Sequence, residues 1–295
     1  LDASRVSGQL DLTKPELSPT IGACYRDSRC HRARASRKPL GEEKLAIASA
    51  DHDVSTTPVT VSGLAFVAAT LAQLWYLGQV LRLQHHNPDN SAYMHRAQEQ
   101  GNVQQYWRDY DQISDYLKRA VLISEDAHFT QHTGFDWAGI RYALKRNMEA
   151  GKPVAGGSTI TQQLAKNLYL SGERTYTRKA QEAVIALMLE IGLSKRRILE
   201  LYLNVAQWGH QIYGAEAAAR HYFQVSAAQL SPLQAAQLAA MLPRPNLYDF
   251  KGPTDYVQQR AQWIQAQMAL VRIPDPGTVT LPPPPDPAPP EGNTQ

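Results

Sequence analysis

The chain has 295 residues, with 30 Lys and Arg against 27 Asp and Glu, and a formal net charge of +3. That balance is too near neutral to imply a nucleic-acid partner. Both cysteines, Cys24 and Cys30, lie near the start, which excludes a disulfide framework for the rest of the chain. With only His31 beside them they fall short of the four ligands of a structural zinc site.

In chain order, residues 1–53 mix Ser, Arg, Pro, Gly and acidic residues without periodicity. They are expected to form a basic, mostly disordered leader. Five Arg and one Lys against one Asp fall within 26–38, which favours a cytoplasmic position, though from farther away than the positive-inside rule prefers.

Residues 54–83 follow, beginning "VSTTPVTVSGLAFVAATLAQLWYLGQVL". No charge occurs in the 28 residues between Asp53 and Arg82, and about 20 suffice to span a bilayer. Trp75 and Tyr76 sit toward the C-terminal end, as interfacial anchors do. A single membrane anchor is expected. A buried soluble helix and a cleaved signal peptide are the competing readings. Lys44 before the stretch and Arg82 and Arg96 after it give little local guide to orientation.

Residues 84–272 read as a helical domain. "DQISDYLKRAVLIS" places Ile113, Leu117, Ala120, Val121 and Ser124 on one helical face. A long run from Arg178 to Ala206 should break near Gly192-Leu193-Ser194, where Ser194 can cap a second helix. "GAEAAARHYF", "SPLQAAQLAAMLPRP" and "TDYVQQRAQWIQAQMALV" predict three further helices, the second capped by Ser231 with Pro232 at its first position. Alternating strand patterns, phosphate-binding glycine loops and metal-ligand clusters are not evident. Residues 273–295 hold nine prolines and are expected to be an extended tail, with partner docking as one use.

Three polar clusters stand inside the helical domain. The first is Glu125-Asp126 with His128, Phe129 and His132. An apolar helix that ends on two carboxylates is either an exposed helix end or a catalytic acid or base in a half-buried site. The second is "GGSTITQQLAKN", residues 156–167, where Gly156 and Gly157 allow a tight turn. It is a capped amphipathic helix or an anion site, with Lys166 adding charge. The third is "ERTYTRKAQE", residues 173–182. Arg178 and Glu182 are four apart and could simply pair; alternatively Arg174, Arg178 and Lys179 form a cationic patch that stabilises a phosphate leaving group. A sugar hydrolase would need the carboxylates but not the cations.

The stretches "EDAHFTQHTGFD", "GGSTITQQLAKNLYL", "RTYTRKAQE", "SKRRILELYLN" and "YGAEAAARHYF" occur in the order seen in the peptidoglycan glycosyltransferases of glycosyltransferase family 51. The chain resembles the monofunctional, membrane-anchored biosynthetic transglycosylases of bacteria. The resemblance implies a mainly α, lysozyme-like catalytic domain beside one N-terminal transmembrane helix. It implies polymerisation of lipid II into β-1,4 glycan strands, with inversion and loss of undecaprenyl pyrophosphate. By match, Glu125 is the expected general base and Glu182 assists at the pyrophosphate. Asp126, Phe129, Ser158, Gln162, Gln163, Lys166, Asn167, Arg174 and Lys179 are carried over as substrate-binding positions, with Lys166 and Arg174 the expected phosphate contacts. Gln181 stands where some relatives have Lys. Glu200 is expected to tie its helix to a neighbour, and His128 and His132 to be local hydrogen-bonders.

No cofactor or metal is expected, although a divalent cation could assist the pyrophosphate. The implied partners are lipid II, the growing glycan strand, the lipid bilayer and cell-wall synthesis or division proteins, with no nucleic acid. The implied location is the bacterial cytoplasmic (inner) membrane, single-pass, with the catalytic domain on the outer face. With a Pro-rich tail after residue 272 and no S-x-x-K serine site, glycan polymerisation without peptide crosslinking is expected. Two rivals remain: a lytic enzyme that cleaves peptidoglycan on a lysozyme-like scaffold, and a non-catalytic scaffold that binds lipid II.

Overall fold

The computed structural model describes residues 58–152, 156–173, 175–252 and 254–274, with side chains from Ser62 onward. The basic leader with Cys24, Cys30 and His31, the Pro-rich tail from residue 275, and Arg174 lie outside the described residues.

Within them the chain is mainly helical. Helix α1 runs Pro58–Arg82, α2 Ala92–Gln98, α3 Asp115–Glu125, α4 Trp137–Ala150, α5 Ile160–Tyr169, α6 Tyr176–Gly192, α7 Lys195–Val205, α8 Ala215–Phe223, α9 Pro232–Met241, α10 Pro245–Lys251 and α11 Asp255–Gln267. Strands β1 (Gln104–Gln105), β2 (Gln207–Gly209) and β3 (Ile212–Tyr213) form one small sheet in the order β1-β3-β2. β1 lies parallel to β3, and β2 antiparallel to it.

Local chemistry sets these boundaries. The expected break near residue 193 is present: α6 ends at Gly192 and the Ser194 side chain accepts from the Arg197 N–H to start α7. Ser231 caps α9 through the Gln234 N–H, with Pro232 at the first turn, as expected. The helix anticipated from residue 111 starts later, because Tyr110–Gln112 forms a short 3-10 turn and Ser114 caps α3 at Tyr116. Helices α2, α4 and α10 carry too short or too weak an apolar stripe to be predicted. α4 buries only Ala143.

The core has two centres. Helix α9, lined by buried Ala235, Ala236, Ala239 and Ala240, packs against both α3 and α11. Small side chains on α9 leave room for Leu117 and Val121 of α3 and Ile264 of α11, all fully buried. Helix α5 packs between α6 and α7, burying Ile160, Leu164, Ile185, Leu189 and Tyr202. The end of α3 and the start of α5 thereby come together, which positions the candidate site.

Helix α1 holds a 21-residue stretch, Ser62–Arg82, long and apolar enough to cross a membrane. Leu64, Phe66, Leu71 and Trp75 are exposed on it. Its C-terminal half lies along α6. Gln73 and Gln181 exchange two amide hydrogen bonds, at 2.9 and 3.1 Å. Gly192 matters here: a Cβ on it would stand 3.1 Å from the Val80 methyl.

A buried charge cluster fixes α8. The Glu216 side chain is fully buried and accepts from Arg108 at 2.8 Å, the Ala227 N–H at 2.8 Å and Arg220 at 2.7 Å. Burial alone would raise its pKa, but the hydrogen bonds from Arg108, Ala227 and Arg220 outweigh it and hold the carboxyl at about 2. Because the folded pKa lies below the unfolded one, this stabilisation is present above the ordinary carboxylate pKa and is lost as pH falls toward 2. Glu216→Gln should cost about 2–3 kcal/mol at neutral pH and should flatten the acid-side loss of stability, as measured by denaturant unfolding of both proteins across pH.

Candidate active site

The last residue of α3 is Glu125, and the chain leaves the helix at Asp126. A cleft of about 260 Å³ opens there, lined by Glu125, Asp126, His128, Asp136, Tyr142 and Ser158 among others. Glu125 is half-buried. Its Oε2 accepts from the Gln163 amide at 2.8 Å, and its Oε1 faces the Ser124 hydroxyl at 3.4 Å. Gln163 is oriented from behind, because the fully buried Tyr202 hydroxyl donates to its Oε1 at 3.1 Å. Burial keeps that phenol protonated, so the amide must present its NH2 to Glu125.

Burial raises the Glu125 pKa. Hydrogen bonds from Gln163 and Ser124 and the charge of Arg260 on α11 oppose the rise, and the Asp126 charge adds to it. The result is a carboxylate displaced toward the working range of a general base.

Asp126 faces the other way. Its side chain is almost fully buried, with Oδ1 on His132 Nε2 at 2.8 Å and Oδ2 accepting from the Ile160 N–H at 3.0 Å. It therefore ties the end of α3 to the first turn of α5. The turn around α5 is closed further by Thr159 and Gln162. Gln162 Oε1 accepts from the Thr159 N–H, the Gln162 N–H donates to the Thr159 hydroxyl, and that hydroxyl donates to the Gly134 carbonyl at 2.7 Å. Gly157 lies where a Cβ would be 3.3 Å from Ile140 Cα, so any larger residue would press the loop away from α4 by a few tenths of an ångström.

The cations gather behind Ser158. Glu182, on α6, is buried and takes Arg178 at 2.6 Å and Lys179 on its two oxygens. The pairing of Arg178 with Glu182 four residues on is thus realised. Lys179 also donates to the Ser158 hydroxyl at 3.2 Å, which links this group to the cleft. Lys166 is half-buried, 5.6 Å from the Tyr93 ring centroid. Its pKa is lowered by burial; Glu182 opposes this, Arg178 and Lys179 reinforce it, and Glu125 opposes it. Lys166, Arg178 and Lys179 set three positive charges against the one carboxylate of Glu182, leaving an excess suited to an anion.

Of the positions singled out from the sequence, the cleft wall itself gathers Glu125, Asp126 and Ser158. Gln163 touches Glu125 from behind, and Lys166, Lys179 and Glu182 form the adjacent cationic group. Asn167 is half-buried farther along α5. Phe129 and Gln162 turn inward, with Phe129 buried beneath the Lys195 ammonium at 4.3 Å. His128 pairs with Asp136 at 3.0 Å and His132 with Asp126, the local roles expected of them. Glu200 pairs with Arg197 of its own helix at 3.1 Å, and Arg197 makes the link onward to Leu83 and His86.

Several residues escaped the sequence reading. Glu190, whose side chain is nearly covered within an apolar run, holds the Thr161 hydroxyl at 2.5 Å and Lys195 at 2.8 Å. Tyr93, on short α2, has the Arg96 guanidinium carbon 4.6 Å and the Lys166 ammonium 5.6 Å from its ring centroid. Tyr142 reaches the cleft from α4. Only the acidic residue among apolar neighbours at Glu190 left a visible signal. Among the described residues there is no cluster of three or more His, Cys, Asp or Glu that could hold a metal ion.

A desolvated carboxylate in a cleft, backed by an excess of fixed cations, is the layout of a group-transferring enzyme with an anionic leaving group. Residues 91–269 match the family model described as Transglycosylase, and the chain belongs to that family. A protein of Alcanivorax borkumensis called biosynthetic peptidoglycan transglycosylase is 95% identical over 233 residues, covering 79% of this chain and 95% of its own length. Proteins of the same name from Thiobacillus denitrificans and Methylobacillus flagellatus are 50% and 49% identical, covering 71% and 72% of this chain and 94% and 95% of their own lengths. The mainly α, lysozyme-like fold expected from the sequence is present, and among the described residues one N-terminal helix is long and apolar enough to cross a membrane, as expected.

Asp126→Ala removes the acceptor for the Ile160 N–H and the partner of His132. It should lower stability by about 2–3 kcal/mol and speed amide hydrogen exchange at Ile160 and Gln162 more than at α9. Uniform acceleration across the domain would contradict a local tie.

Proposed function

We propose that this chain is a peptidoglycan glycosyltransferase that polymerises lipid II into β-1,4 glycan strands and releases undecaprenyl pyrophosphate. The observation that carries the reading is the pairing of a base-like Glu125 with the Lys166–Arg178–Lys179 group across Ser158. Glu125 takes the proton from the acceptor sugar hydroxyl. The freed oxygen attacks the anomeric carbon of the donor as the bond to pyrophosphate breaks. An α-linked donor then gives a β-linked product by a single inverting displacement. The leaving pyrophosphate gains charge, which Lys166, Lys179 and, by family match, Arg174 stabilise. Ser158, Gln163 and Asn167 serve the substrate or hold Glu125. Asp126, Phe129 and Gln162 act as positioning residues for the same site. A divalent cation is a natural adjunct for the pyrophosphate but has no dedicated protein ligands in this reading.

Membrane attachment fits the same substrate. A 21-residue helix is about 31 Å long, against a hydrocarbon core of about 30 Å. Gln73 of that helix is bonded to Gln181, the neighbour of Glu182, so anchor and catalytic helix meet side by side, where a lipid-linked donor would arrive. The proposed division is a cytoplasmic leader to residue 53, an anchor over 54–83, a catalytic domain over 84–272 on the outer face of the bacterial inner membrane, and a tail thereafter. In this role the chain works beside cell-wall synthesis or division proteins.

A raised Glu125 pKa would also suit an acid that cleaves peptidoglycan. The cationic group favours the polymerase, since hydrolysis of a sugar chain has no anionic leaving group to stabilise. With purified lipid II, wild type should make long strands, and Glu125→Gln should lose about a hundredfold or more in rate. Lys166→Ala should lose activity with a smaller rise in KM than fall in kcat, because the charge it meets grows in the transition state. Equal strand synthesis by wild type and Glu125→Gln, or digestion of sacculi without strand synthesis, would overturn the assignment.

A further inference from the structure

A second recess, of about 170 Å³, lies at the C-terminal end of α1. Gln79, Arg82, Leu83, His86, Asp89 and Tyr169 contribute to its wall. It is smaller than the roughly 300 Å³ at which drug-sized ligand sites begin, so it suits one compact polar group. Its position is specific. Arg82 closes the apolar stretch Ser62–Arg82 and is the first charge after Asp53. If α1 enters the bilayer as proposed above, the recess opens where phospholipid head groups lie.

The recess is structurally supported. Arg197 of α7 donates to the Leu83 carbonyl at 2.8 Å, the His86 carbonyl at 3.1 Å and Asn87 Oδ1 at 2.7 Å, which fixes the chain just beyond α1. Gln84 donates to the Gly192 carbonyl at 2.8 Å from the same turn. Leu83 is buried and gives the recess an apolar floor. Arg197 is thus spent on these carbonyls, on Asn87 and on Glu200, while two charges on the wall have no such partner among the described residues. Among the described residues, neither Arg82 nor Asp89 forms an ion pair or a side-chain hydrogen bond, with each other or with any neighbour.

Opposite charges on one small wall, not paired with each other, match a ligand that carries both signs a few bonds apart. We infer that this recess binds the head group of a zwitterionic phospholipid with a primary ammonium. The phosphodiester accepts from the Arg82 guanidinium, and Gln79 lies on the same wall as a second donor. The ammonium donates to the Asp89 carboxylate. Leu83 and Tyr169 meet the glycerol and the first methylenes. A head group with no ammonium leaves Asp89 facing like charge, and a quaternary ammonium has no N–H to give it. The site lies apart from Glu125 and would hold the anchor's outer end at a set height beside α6.

The test uses the full chain, delipidated in detergent and offered equal amounts of phosphatidylethanolamine, phosphatidylglycerol and phosphatidylcholine in mixed micelles. Retained lipid is counted by native mass spectrometry. Wild type should retain phosphatidylethanolamine preferentially. Arg82→Gln should lower that retention by about fivefold, the scale of one surface charge contact, and Asp89→Asn should remove the preference over the other two lipids. Equal retention of all three by wild type, or the same preference in both variants, overturns the inference. So does binding of free phosphoethanolamine or inorganic phosphate with no lipid retained. Flotation with vesicles is scored separately: a chain that floats but shows no preference sinks only the head-group site, whereas one that fails to float sinks the membrane reading of α1 with it.

Discussion

The Asp126 carboxylate joins two helices that are far apart in sequence, and the site depends on that joint. One oxygen takes the first free N–H of α5 and the other takes His132. The first turn of a helix leaves backbone donors unsatisfied, and a buried carboxylate both satisfies one and favours the positive end of the helix dipole. The joint sets the register of α5 against the end of α3. Gln163, one turn into α5, then falls on Glu125, and Tyr202 from α7 fixes which face of its amide is presented. Adjacent carboxylates thus divide the work. Asp126 holds the scaffold through its two contacts, while Glu125, one residue earlier, is left half-buried at the cleft.

The second constraint is electrostatic. Burying Glu182 would be costly without compensation, and Arg178 and Lys179 from its own helix supply it. That arrangement also gathers the positive charges that depress the pKa of Lys166. Among the described residues the Lys166 ammonium makes no side-chain hydrogen bond, and a partly desolvated ammonium gains more from an anion than a hydrated one would. Elsewhere in the domain, Glu216 with Arg108 and Arg220 follows the same rule. Burial of a compensated carboxylate is therefore not by itself a mark of chemistry here; the Lys179 contact with Ser158 at the cleft wall and the third cation, Lys166, set the Glu182 cluster apart.

Much of this was legible in the sequence because it is local. The Ser194 and Ser231 caps, the break at Gly192 and the apolar stretch before Arg82 each depend on a few neighbouring residues. The clusters at 125–132, 156–167 and 173–182 could be recognised as belonging to one site through their ordered resemblance to a family. What could not be read is what depends on distant pairs. Nothing adjacent to Asp126 says that its partner is the N–H of Ile160, and nothing near Gln181 says that it meets Gln73. Helix α4 was missed because it buries little, although it brings Tyr142 and the Asp136 cap to the cleft. Tyr93 and Arg96 sit on a seven-residue helix whose importance lies wholly in what stands across from it.

The central claim is that α5, through Gln163, sets the ionisation of Glu125. It is tested most directly by the pH dependence of kcat/KM for glycan polymerisation in wild type and Gln163→Leu. Activity needs the ionised carboxylate, so it should fall as pH drops through a Glu125 pKa that lies above the ordinary carboxylate value. Loss of the Gln163 amide, which holds that pKa down, should move the acid limb to higher pH. An acid limb at the ordinary carboxylate position in wild type, or one that stays in place in Gln163→Leu, would contradict the account.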